Sequence, residues 1–154
     1  MTTSTADSAT GTSASVSISK RNATLRNTTE FAGRTLLALL FLLSGLGKLG
    51  AYHATAGYMA SVGVPGALLP AVIATEVLGA LAIILGWKTR AAAALLAGFS
   101  VLTALIFHNN LADQTQLIMF WKNISIAGGY LLLLIHGAGA VSLDARSARQ
   151  DPAT

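Results

Sequence analysis

The chain has 154 residues, of which 53% are hydrophobic and only 10% charged, and its mean hydropathy is +0.63. A soluble domain carries about 25% charged residues and leaves a large share of its surface in water, so this composition excludes an ordinary soluble domain and equally a disordered chain. The net charge of +4 rests on few groups, so membrane topology rather than nucleic acid accounts for it, and the absence of cysteine excludes a disulfide, a thiolate nucleophile and a thiolate-held iron–sulfur cluster within the chain.

Residues 1–29 are dominated by Ser, Thr and Ala, without apolar periodicity. They read as a disordered cytoplasmic tail. Met1 to Ser19 lacks both the basic stretch and the apolar run of a secretory signal. Residues 30–138 read as a transmembrane domain of four helices with short connections, an all-α polytopic bundle. Its apolar segments run from Phe31 to Leu49, Leu68 to Trp87, Ala91 to His108 and Leu117 to His136. Each has roughly the 18–20 residues that an α-helix needs to cross a hydrocarbon core of about 30 Å. Pro70 falls in the first turn of the second helix, where its missing N–H costs nothing. Residues 139–154 read as a polar cytoplasmic tail.

Lys88-Thr89-Arg90 is a tight turn, which makes the second and third helices antiparallel neighbours. A short polar turn from Asn109 to Gln116 joins the third and fourth. The first connection is longer and fits two descriptions, an irregular loop or a short interfacial helix with Tyr52 and Tyr58 at headgroup depth. Lys20, Arg21, Arg26 and Arg34 precede or open the first helix; Lys88 and Arg90 lie in the second connection; Arg146 and Arg149 lie in the last segment. The positive-inside rule therefore places both termini in the cytoplasm.

Ionisable groups inside spans are costly and are the first candidates for function. Glu76 lies eight positions past Leu68, about 12 Å down its helix, and Lys122 lies five past Leu117, about 7.5 Å down. With Lys48, His108 and Asn123 they fall in the outer half, so residues from all four helices converge at one depth. Arg34 and His136 lie at the other end and read as interface anchors. Lys48 can snorkel; Glu76 cannot, and needs protonation, a lysine partner (Lys48 or Lys122) or a wet cavity. Lys48, Glu76, His108, Lys122 and Asn123 are the candidate ligand-binding residues. No metal site, catalytic set or haem ligand pair is evident, since His108 and His136 lie at opposite faces.

In order, Arg34-Thr-Leu-Leu-Ala-Leu-Leu-Phe-Leu-Leu-Ser-Gly-Leu-Gly-Lys48-Leu49, Tyr58-Met-Ala-Ser-Val-Gly-Val-Pro65, Glu76-Val-Leu-Gly-Ala, Leu85-Gly-Trp-Lys-Thr-Arg90, Phe107-His108 and Phe120-Trp-Lys122-Asn123-Ile-Ser-Ile-Ala-Gly-Gly129 resemble the DoxX-like membrane proteins. Trp121 departs from the pattern, in a slot where a smaller aliphatic residue is common. The resemblance implies a small four-helix protein of the bacterial inner membrane. It further implies a quinone-linked role in thiosulfate oxidation or a role in oxidative or thiol stress.

Two functions of different class follow. In the first, the protein is an accessory, quinone- or small-anion-binding component of a membrane redox system, with other redox subunits as partners. Two lysines against one glutamate leave the polar region net positive, which suits a quinone carbonyl or an oxyanion. In the second, it is a non-catalytic small transporter or assembly factor whose charges only staple helices. The lipid bilayer is a partner in both, nucleic acid in neither, and the sequence names no substrate or oligomeric state. A reporter fused after Thr89 or Ala138 is expected to read cytoplasmic, and one near Asn110 external; an external reading at Thr89 contradicts this topology.

Overall fold

The computed structural model describes the backbone of residues 7–150 and the side-chain environments of residues 19–150. Among them are six helices and no strand: α1 (Asp7–Gly50), α2 (Tyr52–Ser61), α3 (Leu69–Leu85), α4 (Thr89–Phe107), α5 (Gln114–His136) and α6 (Leu143–Gln150), with one 3-10 turn, Gly66–Leu68, leading into α3. Four helical stretches, Ser19–Gly50, Gly66–Leu85, Thr89–Phe107 and Gln114–His136, are long and apolar enough to cross a membrane. Only 17–33% of the most apolar part of each is buried against protein. Leu36, Leu43, Leu78, Leu132 and Ile135 are more than 60% exposed, an outer surface that needs hydrocarbon around it.

The bundle consists of two tightly packed pairs, α1 with α3 and α4 with α5, joined mainly along α3 and α4. Close backbone approach sets both kinds of contact. A Cβ on Gly45 would stand 2.7 Å from Val77 Cγ2, and one on Gly79 would stand 2.9 Å from Leu96 Cδ2. Lipid provides no hydrophobic drive between helices, so this approach is what the small residues contribute. Gly47, Gly98 and Gly128 face open space instead. Midway, Phe41 meets Phe99 at 6.1 Å and Tyr130 at 5.7 Å between ring centroids. The Tyr130 hydroxyl donates to the Leu37 carbonyl at 3.1 Å.

The first connection, read as either loop or helix, is the helix α2. It packs through Met59 against Leu69 and Ile73 of α3. The segment expected to be disordered continues α1 back to Asp7, and residues 1–6 of it lie outside the described residues. Extending a nucleated helix gains one hydrogen bond per residue fixed, and the Thr24 and Thr28 hydroxyls donate to carbonyls one turn back. From Ser19 to Phe31 the side chains stay exposed except Asn27, and Glu30 lies against Gly139 in the loop after α5.

The Arg34 end is closed by a clasp that the sequence did not announce. Arg34 read as an interface anchor; it is 4% exposed and donates to the carbonyls of Ile84, Ala138 and Val141. These belong to the end of α3 and to the loop after α5, so one guanidinium ties three segments. Gly86 ends α3 at φ 68°. Its N–H bonds to Ile83 and that of Trp87 to Ala82, a Schellman turn. A Cβ there would collide with the Ser142 side chain, so the chain after α5 lies directly on this turn. The segment read as a polar tail thus returns to the bundle over 139–144, while residues 151–154 lie outside the described residues.

Asp144 completes the clasp. Its carboxylate accepts from the N–H groups of Lys88 at 2.7 Å and Thr89 at 2.9 Å, satisfying the start of α4. Lys88 sits at φ 44°, a conformation costly for a side-chain-bearing residue, and these bonds hold it there. Burial pushes the Asp144 carboxyl upward, but the N–H groups of Thr89 and Lys88 and the Arg34 charge outweigh it and set it below the ordinary value. A depressed carboxylate contributes stability that is complete above the unfolded pKa of about 3.9 and is lost as pH falls through the lower folded value. Asp144→Ala is expected to cost about 2 kcal/mol at neutral pH, measured by unfolding in mild detergent, and to remove that part of the acid dependence. Unchanged stability contradicts the clasp.

Candidate functional site

Towards the Lys48 end the two helix pairs separate around a cavity of about 470 Å³. Helical spacing builds two of its walls. Leu40, Ser44 and Lys48 lie at i, i+4 and i+8 on α1, and Leu68, Val72 and Glu76 repeat that spacing from the 3-10 turn into α3. Phe99, Leu102 and Ile106 bring α4 to the cavity, Lys122 and Asn123 bring α5, and Phe41 lies at its inner end. Thr55, Tyr58 and Met59 of α2 also line it, and the Tyr58 ring lies 5.7 Å from that of Phe107. The cavity is therefore crossed by α2 at the Lys48 end.

All five sequence-derived candidates, Lys48, Glu76, His108, Lys122 and Asn123, line this one cavity. They divide into two groups. Glu76 is 4% exposed, and of the two lysines it takes Lys48. The ammonium donates to Glu76 Oε1 at 2.9 Å, to Oε2 at 2.8 Å and to Ser44 Oγ at 2.7 Å. Ser44 in turn donates to Oε1 at 3.3 Å. The pair crosses from α1 to α3, one turn from the close approach at Gly45. An isolated carboxylate at this depth would be prohibitively desolvated, and pairing with added hydrogen bonds is what permits a charged form.

The other group lies on the α4–α5 wall. His108 follows the last turn of α4, and its Nδ1 stands 2.8 Å from Gln116 Oε1 in the first turn of α5. That turn is fixed by Asp113, whose side chain accepts from the Gln116 N–H at 2.9 Å. Lys122 is exposed and stands 3.0 Å from Met119 Sδ rather than near Glu76. Asn123, 8% exposed, donates through Nδ2 to the Met119 carbonyl at 2.9 Å. His53 is exposed, and His136 donates to Leu132 at the opposite end. Among the described residues no three His, Asp or Glu side chains converge as a metal site requires.

Ser44, Gln116 and the α2 residues are the parts of the site that sequence reading missed. Ser44 carried a signal, one turn before Lys48 on the same face. Gln116 carried none, because its role depends on where the α4–α5 turn places it.

The family profile of DoxX matches residues 30–109, a stretch holding α2, α3, α4, Lys48, Glu76 and His108. The chain belongs to the DoxX family. Among relatives of this DoxX protein, inner membrane protein YqjF of Escherichia coli is 49% identical over 111 residues, 72% of this chain and 85% of the relative. Inner membrane protein YphA of the same organism is 43% identical over 121 residues, 73% of this chain and 86% of the relative. No solved structure matches the chain significantly. Family membership and four apolar spans make this a multi-pass membrane protein.

Proposed function

We propose that the protein is an inner-membrane component of a redox or oxidative-stress system, with both termini cytoplasmic, that binds a quinone-type amphiphile in the cavity between its helix pairs. The observation that carries this reading is the composition of the cavity wall. Phe41, Phe99, Phe107 and Tyr58 give it flat apolar surfaces, with Ser44, Lys48 and Glu76 on one wall and His108, Lys122 and Asn123 on another. That is the pattern of a small-molecule site, and the volume falls in the usual range. A bare inorganic oxyanion would sit against these rings with only Lys122 uncommitted to a carboxylate, so a carbon-rich body with oxygen at one end fits better. With no cysteine and no converging metal ligands in its described residues, the protein would hand electrons to or from a partner subunit. The names of the two Escherichia coli relatives support the inner-membrane location.

Mass spectrometry of lipids extracted from the purified protein is expected to find a quinone enriched over bulk membrane, and a short-chain quinone added to the stripped protein is expected to bind saturably. Leu102→Trp, which fills the cavity, should weaken that binding at least about tenfold, since overpacking excludes a ligand of matching size. Neither enrichment nor saturable binding would leave the charges as helix staples alone.

A further inference from the structure

The two polar groups of the cavity differ in what they have left to offer. An ammonium has three protons, and those of Lys48 go to Ser44 Oγ and both oxygens of Glu76. The Ser44 hydroxyl closes the triangle on Oε1. This network is neutral in sum and has no donor to spare. A ligand bonding to Lys48 must first break a bond within it.

The α4–α5 wall is the reverse. A carboxamide oxygen only accepts, so in the neutral ring the contact at 2.8 Å with Gln116 Oε1 puts the imidazole proton on Nδ1 and leaves Nε2 as a lone-pair acceptor. Asn123 spends its Nδ2 on Met119, which leaves Oδ1 as an acceptor. Among the described residues neither Nε2 nor Oδ1 has a partner, and both side chains line the cavity. Lys122 touches a thioether, a weak acceptor that a stronger one can replace.

We infer that Gln116 is a positioning residue that fixes the His108 tautomer, and that the His108 ring thereby selects a ligand carrying an aromatic hydroxyl. This rests on the reading that the cavity holds a quinone-type molecule, and specifies which features of it are recognised. The ligand O–H donates to Nε2, and a second oxygen accepts from Lys122. A ligand without the hydroxyl forgoes the hydrogen bond to Nε2, and that loss is the source of discrimination.

The test compares trimethylhydroquinone with its dimethyl ether and with the parent quinone under anaerobic conditions. Binding is followed through Trp121 in a Trp87→Phe background, which leaves one indole in the chain. The hydroquinone should bind roughly tenfold more tightly than the ether, the worth of one hydrogen bond. His108→Phe and Gln116→Leu should collapse that ratio towards one. Nitrogen NMR of the labelled protein should show His108 as the Nδ1–H tautomer, and Gln116→Leu should lose that preference with no change in melting temperature. A ratio near one in the unaltered protein, or an undiminished ratio in His108→Phe, overturns the inference. Failure of the quinone, the hydroquinone and the ether alike to bind overturns the reading of the cavity, a separate and recognisable result.

Discussion

A carboxylate inside a hydrocarbon layer must find its counter-charge within the protein, and the Lys48 half of this molecule is built around that requirement. Glu76 reaches Lys48 and Ser44 across the α1–α3 contact, which is possible because Gly45 lets the two backbones come close. The interaction is satisfied locally, by one neighbouring helix. It does not draw α4 or α5 inward, and the space that they leave is the cavity. Had Glu76 paired with Lys122 instead, the same charge would have pulled the two helix pairs together over that space.

The opposite end follows the other logic. There Arg34 and Asp144 engage the backbone of three separate segments, and the chain after α5 is bound to the α3–α4 turn. One end is thus locked by side chain to backbone bonds and the other is held apart, bridged by α2 through Met59 and Tyr58. A molecule with this division presents a fixed base and a cavity whose polar groups on α4 and α5 are free to meet a ligand.

Much of this was legible in the sequence, for reasons that are local. Four apolar runs of spanning length fix the helices, and 1.5 Å per residue is enough to place Lys48, Glu76, His108, Lys122 and Asn123 at one depth. Depth does not fix azimuth, so the choice between Lys48 and Lys122 for Glu76 was open until helix rotation was known. The α2 sequence has small residues and weak patterning, and its helix gains definition from packing Met59 on α3. The clasp was invisible because Arg34 and Asp144 act on backbone atoms far along the chain, and such contacts leave no spacing to read. Residues 7–29 show the converse: composition argued against structure, while continuity with a membrane helix extended it.

The central claim is that Lys48 and Glu76 form a closed structural pair distinct from the ligand-facing wall. A double-mutant cycle of Lys48→Met and Glu76→Leu, read by reversible unfolding in detergent, addresses it most directly. Lys48→Met strands the Glu76 carboxylate in a low-dielectric setting and should cost about 3–5 kcal/mol, whereas Glu76→Leu leaves a lysine that can snorkel and should cost less. The double replacement should recover most of that loss, a large coupling energy, and should keep the binding of a short-chain quinone. Additive losses, or a stable double variant that no longer binds, would contradict the account.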